Sequence, residues 1–155
     1  MRVALIQMSV LQGDFAANIA RARALAQRAK DGGADMAVFP EMFVCGFNYK
    51  ANAAYLEANG NSIEGGIAGI AASCGIWLCG SVPHADAPGA RPSNRMLLIN
   101  DKGEVCAFYD KIHLFSLFNE NSHSAAGGGI EVAEDRKSTR LNSSHSGQSR
   151  MPSSA

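Results

Sequence analysis

Apolar and polar positions divide the first part of the chain into short apolar runs separated by amphipathic or polar stretches. The run "RVALIQMSV", residues 2–10, has strand length. In residues 13–35, Ile19, Ala22, Leu25, Ala26 and Ala29 recur at helical spacing, with Arg21, Arg23, Arg28 and Lys30 on other faces. Asp14 can cap the start of this helix and Gly32-Gly33 can stop it. "MAVF", residues 36–39, predicts a second strand. Residues 49–73 predict helix in two pieces, broken near "NGNSIEGG". "GIWLCGSVP" predicts a third strand closed by Pro83, and "HADAPGARPS" a loop. "NRMLLIN" and "EVCAFYDK" are two strand-like runs around Asp101-Lys102-Gly103, the pattern of a hairpin. Residues 112–129 show little periodicity and predict a loop. The strand–helix–strand opening indicates an α/β layer with a buried sheet.

The pattern changes after Glu134. "DRKSTRLNSSHSGQSRMPSSA", residues 135–155, holds seven serines and no aromatic residue. Such a composition cannot bury enough surface to offset the entropy of ordering, so a disordered tail is expected. The stretch also resembles the translation of a sequencing-library adapter, with "DRKSTRLNSSH" and "SRMPSSA" as its constant parts around a variable index. We therefore expect residues 1–134 to form the folded unit and 135–155 to be non-native, standing in place of the natural continuation.

Charge sharpens this division. The formal net charge is zero, yet 135–155 carries +3 and 1–134 carries −3. A mildly acidic body gives no reason to expect nucleic-acid binding. The N-terminus has no signal-peptide pattern, and nothing approaches the ~20 apolar residues of a membrane span. Cys45, Cys74, Cys79 and Cys106 lack CxxC spacing and sit in apolar contexts. They read as reduced thiols of a cytoplasmic protein, with Cys74, Cys79 and Cys106 as small buried hydrophobes.

Two residues at predicted strand ends carry candidate chemistry. Glu41 follows the second strand and Lys111 follows the hairpin. Functional side chains gather at such strand ends in α/β layers. A carboxylate and an ammonium converging in one cleft would supply a base and an oxyanion-stabilising cation. Taken singly, each residue type is more commonly a solvated loop side chain.

The residues "VALIQMSVLQGDFAANIARA", "GADMAVFPEMFVCGF", "GSVP", "NRMLLINDKGEVCAFYDKIHLF" and "NENSHSAAG" carry a family resemblance. In order and spacing they resemble the N-terminal half of the nitrilase, or carbon–nitrogen hydrolase, superfamily, nearest its omega-amidase-like branch. The resemblance implies part of a four-layer α-β-β-α sandwich, truncated here, and a Glu–Lys–Cys triad. It assigns Glu41 as general base, Lys111 as oxyanion stabiliser and Glu120 as a further glutamate that positions substrate and base. It implies small-molecule amide substrates, no metal or cofactor, and a parent protein that assembles as a homodimer or larger homo-oligomer.

The nucleophile is the missing part. The family's cysteine follows the lysine on a later strand, whereas no cysteine here lies beyond Cys106. Cys45, four residues after Glu41, is tempting but lies where the family does not place its nucleophile. The expectation is an amidase-type parent and an inactive fragment. Alternatives are a nitrilase or N-carbamoyl amine hydrolase of the same superfamily, or a non-catalytic α/β module. His113 and His123 are assigned no catalytic role.

Overall fold

The computed structural model describes residues 1–116 and 119–129, so the expected tail at 135–155 lies outside the described residues. The apolar runs assemble into one mixed sheet. β1 (Val3–Leu5), β2 (Met36–Val38) and β3 (Trp77–His84) are parallel neighbours. β4 (Ser93–Ile99) and β5 (Val105–Asp110) continue the sheet antiparallel, in the order β1-β2-β3-β4-β5. The expected hairpin is present. Its turn is tied by Asn100, whose side-chain oxygen accepts the N–H groups of Lys102 (2.9 Å) and Glu104 (3.0 Å). Gly103 takes φ +83°, and a Cβ there would stand 2.8 Å from the Ala68 carbonyl oxygen.

The helices follow the predicted periodicity. α1 (Phe15–Asp31) starts where Asp14 Oδ1 accepts the Ala17 N–H at 3.0 Å, a side-chain cap for one orphan donor. α2 (Tyr49–Asn59) and α3 (Ser62–Cys74) are the two expected pieces, separated at Gly60-Asn61. α4 (Glu120–His123) is a short helix within the stretch expected to be loop.

Pairing register shows which side chains share a face. One face carries Ala37, Leu78, Val82, Leu97 and Ile99, all buried against the helices with Ile67, Ile70 and Ile76. The opposite face carries Val3, Leu5, Met36, Val38, Trp77, Cys79, Met96, Leu98, Ala107 and Tyr109, none of them buried. Leu5 is 78% exposed and Met96 45%. The described residues thus form one helical layer and one sheet.

Three expectations need correction. The first strand is only three residues long, because β1 pairs with β2 alone and β2 itself is short. β3 runs one residue past Pro83, since β2 pairs only with Trp77, Leu78 and Cys79. At Pro83 the strand therefore has a single neighbour, where a missing N–H is tolerated. Cys106 is exposed, not buried, because β5 is an edge strand whose N-terminal end no described residue covers.

Candidate active site

The backbone between β2 and α2 is a series of turns over residues 41–47 that folds back on β3. Its conformation is set by packing. Phe43 is fully buried and its ring stacks on Phe39 with centroids 4.6 Å apart. Gly80 on β3 provides the space, since a Cβ there would lie 2.7 Å from Phe43. Met42 takes φ +51°, a left-handed conformation that side-chain-bearing residues rarely adopt. The Ser81 hydroxyl accepts its N–H at 2.8 Å, in a buried position. Strain of this kind persists where surrounding contacts over-determine it. Here it turns Glu41 toward the start of β4.

Glu41, Lys111 and Glu120 come together there, from segments 70 and nine residues apart. Lys111 Nζ donates to Glu41 Oε1 and to Glu120 Oε2, each at 2.9 Å. Glu120 is buried, with 2% of its side chain exposed, while that of Glu41 is 47% exposed. Glu120 Oε2 also accepts the Phe115 N–H at 2.7 Å. Burial pushes the Glu120 carboxyl up, but the Lys111 and Phe115 hydrogen bonds outweigh it and hold it below the ordinary carboxylate value. Burial pulls the Lys111 ammonium down, but its bonds to Glu120 and Glu41 leave it above the ordinary lysine value. The lysine is therefore a fixed cation at neutral pH.

Asn94, the second residue of β4, was not singled out from the sequence. It is 4% exposed and its Nδ2 donates to Glu41 Oε1 at 2.7 Å. An asparagine opening an apolar strand carries no periodic signal, and only the fold shows what it faces. Tyr49 was also missed. Its ring stacks on His123, centroids 4.9 Å apart and 12° from parallel. Burial and the nearby Glu120 charge raise the Tyr49 hydroxyl above its ordinary value. His113 is exposed.

On the opposite face of the hairpin, Arg95 and Asp110 form a two-pronged pair, Nε to Oδ1 at 2.9 Å and Nη2 to Oδ2 at 2.7 Å. Ser93 Oγ donates to the same carboxylate at 2.7 Å. Burial raises the Asp110 carboxyl, but these bonds outweigh it and lower it. The clasp pins the strand ends whose next residues, Asn94 and Lys111, turn into the site.

A cavity of about 270 Å³ opens beside the cluster, lined by Glu41, Lys111, Asn94, Ser81, Cys79 and Tyr109, among others. A larger hollow of about 580 Å³ lies between the end of α2 and the 85–92 loop, and none of the three charged residues lines it. Among the described residues no three His, Cys, Asp or Glu side chains converge as metal ligands would.

The cysteines divide sharply. Cys45 is fully buried, and desolvation pushes its thiol up to about 12 despite the Asn52 side chain beside it. Cys74 is buried as expected. Cys79 departs from the packing role expected of it, because its half-buried side chain lines the cavity. Burial raises its thiol as well, the opposite of what a nucleophile requires.

The fold agrees with what the chain resembles. A profile of the carbon–nitrogen hydrolase family matches residues 2–141, running seven residues past Glu134. The chain belongs to the carbon–nitrogen hydrolase family. Over 104 residues it is 36% identical to omega-amidase YafV of Escherichia coli K12, which covers 67% of this chain and 39% of that protein. Over 136 residues it is 33% identical to a protein described as a hydrolase in the pqqF 5′ region of Pseudomonas protegens, covering 86% of this chain and 47% of that one. Among solved structures it resembles the NitN amidase of Nesterenkonia sp. AN1, with TM-score 0.74 and 28% identity over 83% of this chain and 50% of that one. The chain spans two-fifths to one half of the length of these relatives. No helix among the described residues is long and apolar enough to cross a membrane.

Proposed function

We propose that the chain is the N-terminal part of a cytoplasmic amidase that releases ammonia from small amides, of the omega-amidase-like kind. The observation that carries this reading is the Lys111 ammonium shared between Glu41 and Glu120 at the edge of a cavity. Two of its similar proteins support the choice of bond. One is named an omega-amidase. Structures of the Nesterenkonia amidase include complexes with acrylamide and butyramide and covalent addition at an active-site cysteine.

In this reading a thiol supplied by the segment after Glu134 attacks the amide carbon. Glu41, the partly exposed carboxylate, takes the thiol proton and returns it to the departing ammonia. Lys111 stabilises the negative oxygen of the tetrahedral intermediate. Glu120, buried with both oxygens engaged, holds Lys111 in place and does not exchange protons with substrate. Water then releases the acid from the thioester. The 155-residue chain carries no cysteine after Lys111, so in this reading it is inactive, and the complete protein pairs as a homodimer or larger homo-oligomer.

The native DNA downstream of the Glu134 codon gives the first test: a cysteine-bearing strand is expected within a few dozen codons. A genomic frame that continues as "DRKSTRLNSSH" would refute the truncation. The complete protein should release ammonia from ω-amides of dicarboxylic acids, and Glu41→Gln should lower kcat by about a hundredfold or more. Full activity in that variant would remove Glu41 from the mechanism.

A further inference from the structure

One residue touches every charged member of the cluster. Asn94 Nδ2 donates to Glu41 Oε1 at 2.7 Å and makes a longer contact with Glu120 Oε1 at 3.5 Å. Its backbone carbonyl accepts the Lys111 N–H at 3.0 Å. Asn94 itself is 4% exposed and fixed by the β3–β4 pairing opposite Pro83. Each carboxylate can accept at two oxygens. On Glu41 both Lys111 and Asn94 take Oε1, and among the described residues no donor reaches Oε2. On Glu120 both oxygens are engaged.

We propose that Asn94 is a positioning residue for the reaction: it holds Glu41 by one oxygen so that the other, Oε2, faces the cavity as the proton-accepting atom. The proposal rests on the amidase reading for its purpose, and on the hydrogen bonds alone for its geometry. An asparagine suits this place because its NH2 has two donors and no charge. A lysine or arginine would add a second cation beside Lys111. An aspartate would add a third carboxylate. A leucine would leave the Glu41 side chain tethered by Lys111 alone, free to rotate about that contact.

Two measurements separate this proposal from the amidase reading. The first uses the 155-residue chain at low concentration, where carbodiimide-activated coupling of an amine to carboxylates is followed by peptide mass spectrometry. Asn94→Ala should raise labelling of Glu41 by about three- to tenfold, the range expected when one hydrogen bond to a carboxylate is lost. Labelling of Asp110 and Glu104 should stay unchanged, which a general loosening of the hairpin would not allow. Asn94→Leu keeps much of the side chain's volume while removing both donors and adding no charge; it should give the same result and carries the test should the alanine variant not fold. Unchanged Glu41 labelling, or an equal rise at all three carboxylates, overturns the proposal. The second measurement uses the complete protein from the native reading frame. Either variant should lower kcat at least about tenfold with KM within about twofold, the signature of a lost transition-state interaction. An unchanged kcat also overturns the proposal. A complete protein with no amide hydrolysis at all defeats the amidase reading, and the labelling then decides Asn94 by itself.

Discussion

At the scale of single residues, the cluster is an arrangement of two negative charges around one positive charge, with one of the negatives buried. Removing one partner of a buried ion pair leaves the other charge uncompensated, which costs about 3–5 kcal/mol. Lys111→Met should therefore destabilise the complete protein by about 3 kcal/mol in urea unfolding, and adding Glu120→Gln should recover much of the loss. Stability should also vary with pH in a defined way. Glu120 and Asp110 titrate below their ordinary values in the fold, so their contribution is complete above the ordinary carboxylate range. It is lost as pH falls from there through their lowered values. Lys111 titrates above its ordinary value, so its contribution is complete below that value and is lost as pH rises through the raised one. The urea midpoint should form a plateau between these limits, with a shallower acid limb in Lys111→Met. The cysteines supply a separate check. A thiol raised to about 12 holds about a thousandfold less thiolate at pH 7 than an ordinary one. A maleimide should label exposed Cys106 first and Cys45 only on unfolding, as peptide mapping would show. Early labelling of Cys45 would contradict its burial.

At the scale of elements, the turn at 41–47 is the segment that aims Glu41. Its left-handed Met42 depends on the Ser81 hydroxyl from β3. Ser81→Ala leaves that buried N–H without its partner, at a cost of about 1–3 kcal/mol. The expected result is a lower thermal midpoint together with faster amide exchange confined to residues 41–47 and the start of β4. Uniform exchange across α1 and α3 would show a general loosening instead. Much at this scale was legible in the sequence. The α1 periodicity, the Asp14 cap, the break between α2 and α3, and the hairpin all follow local rules. Three features were not legible. β1 is cut to Val3–Leu5 because its single partner β2 is as short. The extension of β3 past Pro83 depends on where β2 ends, and α4 is a single turn whose buried Glu120 is held by Lys111 and Phe115, both outside the helix.

At the scale of the whole molecule, the two faces of the sheet are unlike. Helices bury the middle of one face, around Ala37, Leu78, Val82, Leu97 and Ile99, while Leu5, Met96 and Val3 stand open on the other. Exposed contiguous apolar surface of this kind favours association. Among the described residues β5 is an edge strand, with Val105 47% and Phe108 45% exposed. The relatives are about twice as long as the part they share with this chain. The 155-residue chain alone should therefore bind a hydrophobic dye and sediment as a mixture of species. A monodisperse, cooperatively unfolding monomer would show that the open face is compatible with a stable fold.

The sequence by itself determined the α/β class, the local elements and the family, because those depend on side-chain periodicity, caps, turn residues and motifs read along the chain. It also carried Glu41, Lys111 and Glu120 as candidates, through the resemblance. Only the tertiary structure decided that one lysine bridges both carboxylates, that Asn94 joins them, that Cys45 is sealed away and that Cys79 looks into the cavity. These outcomes depend on which strand ends meet and which face the helices cover. Contacts across 53 and 70 residues of chain set both, and no local pattern encodes them.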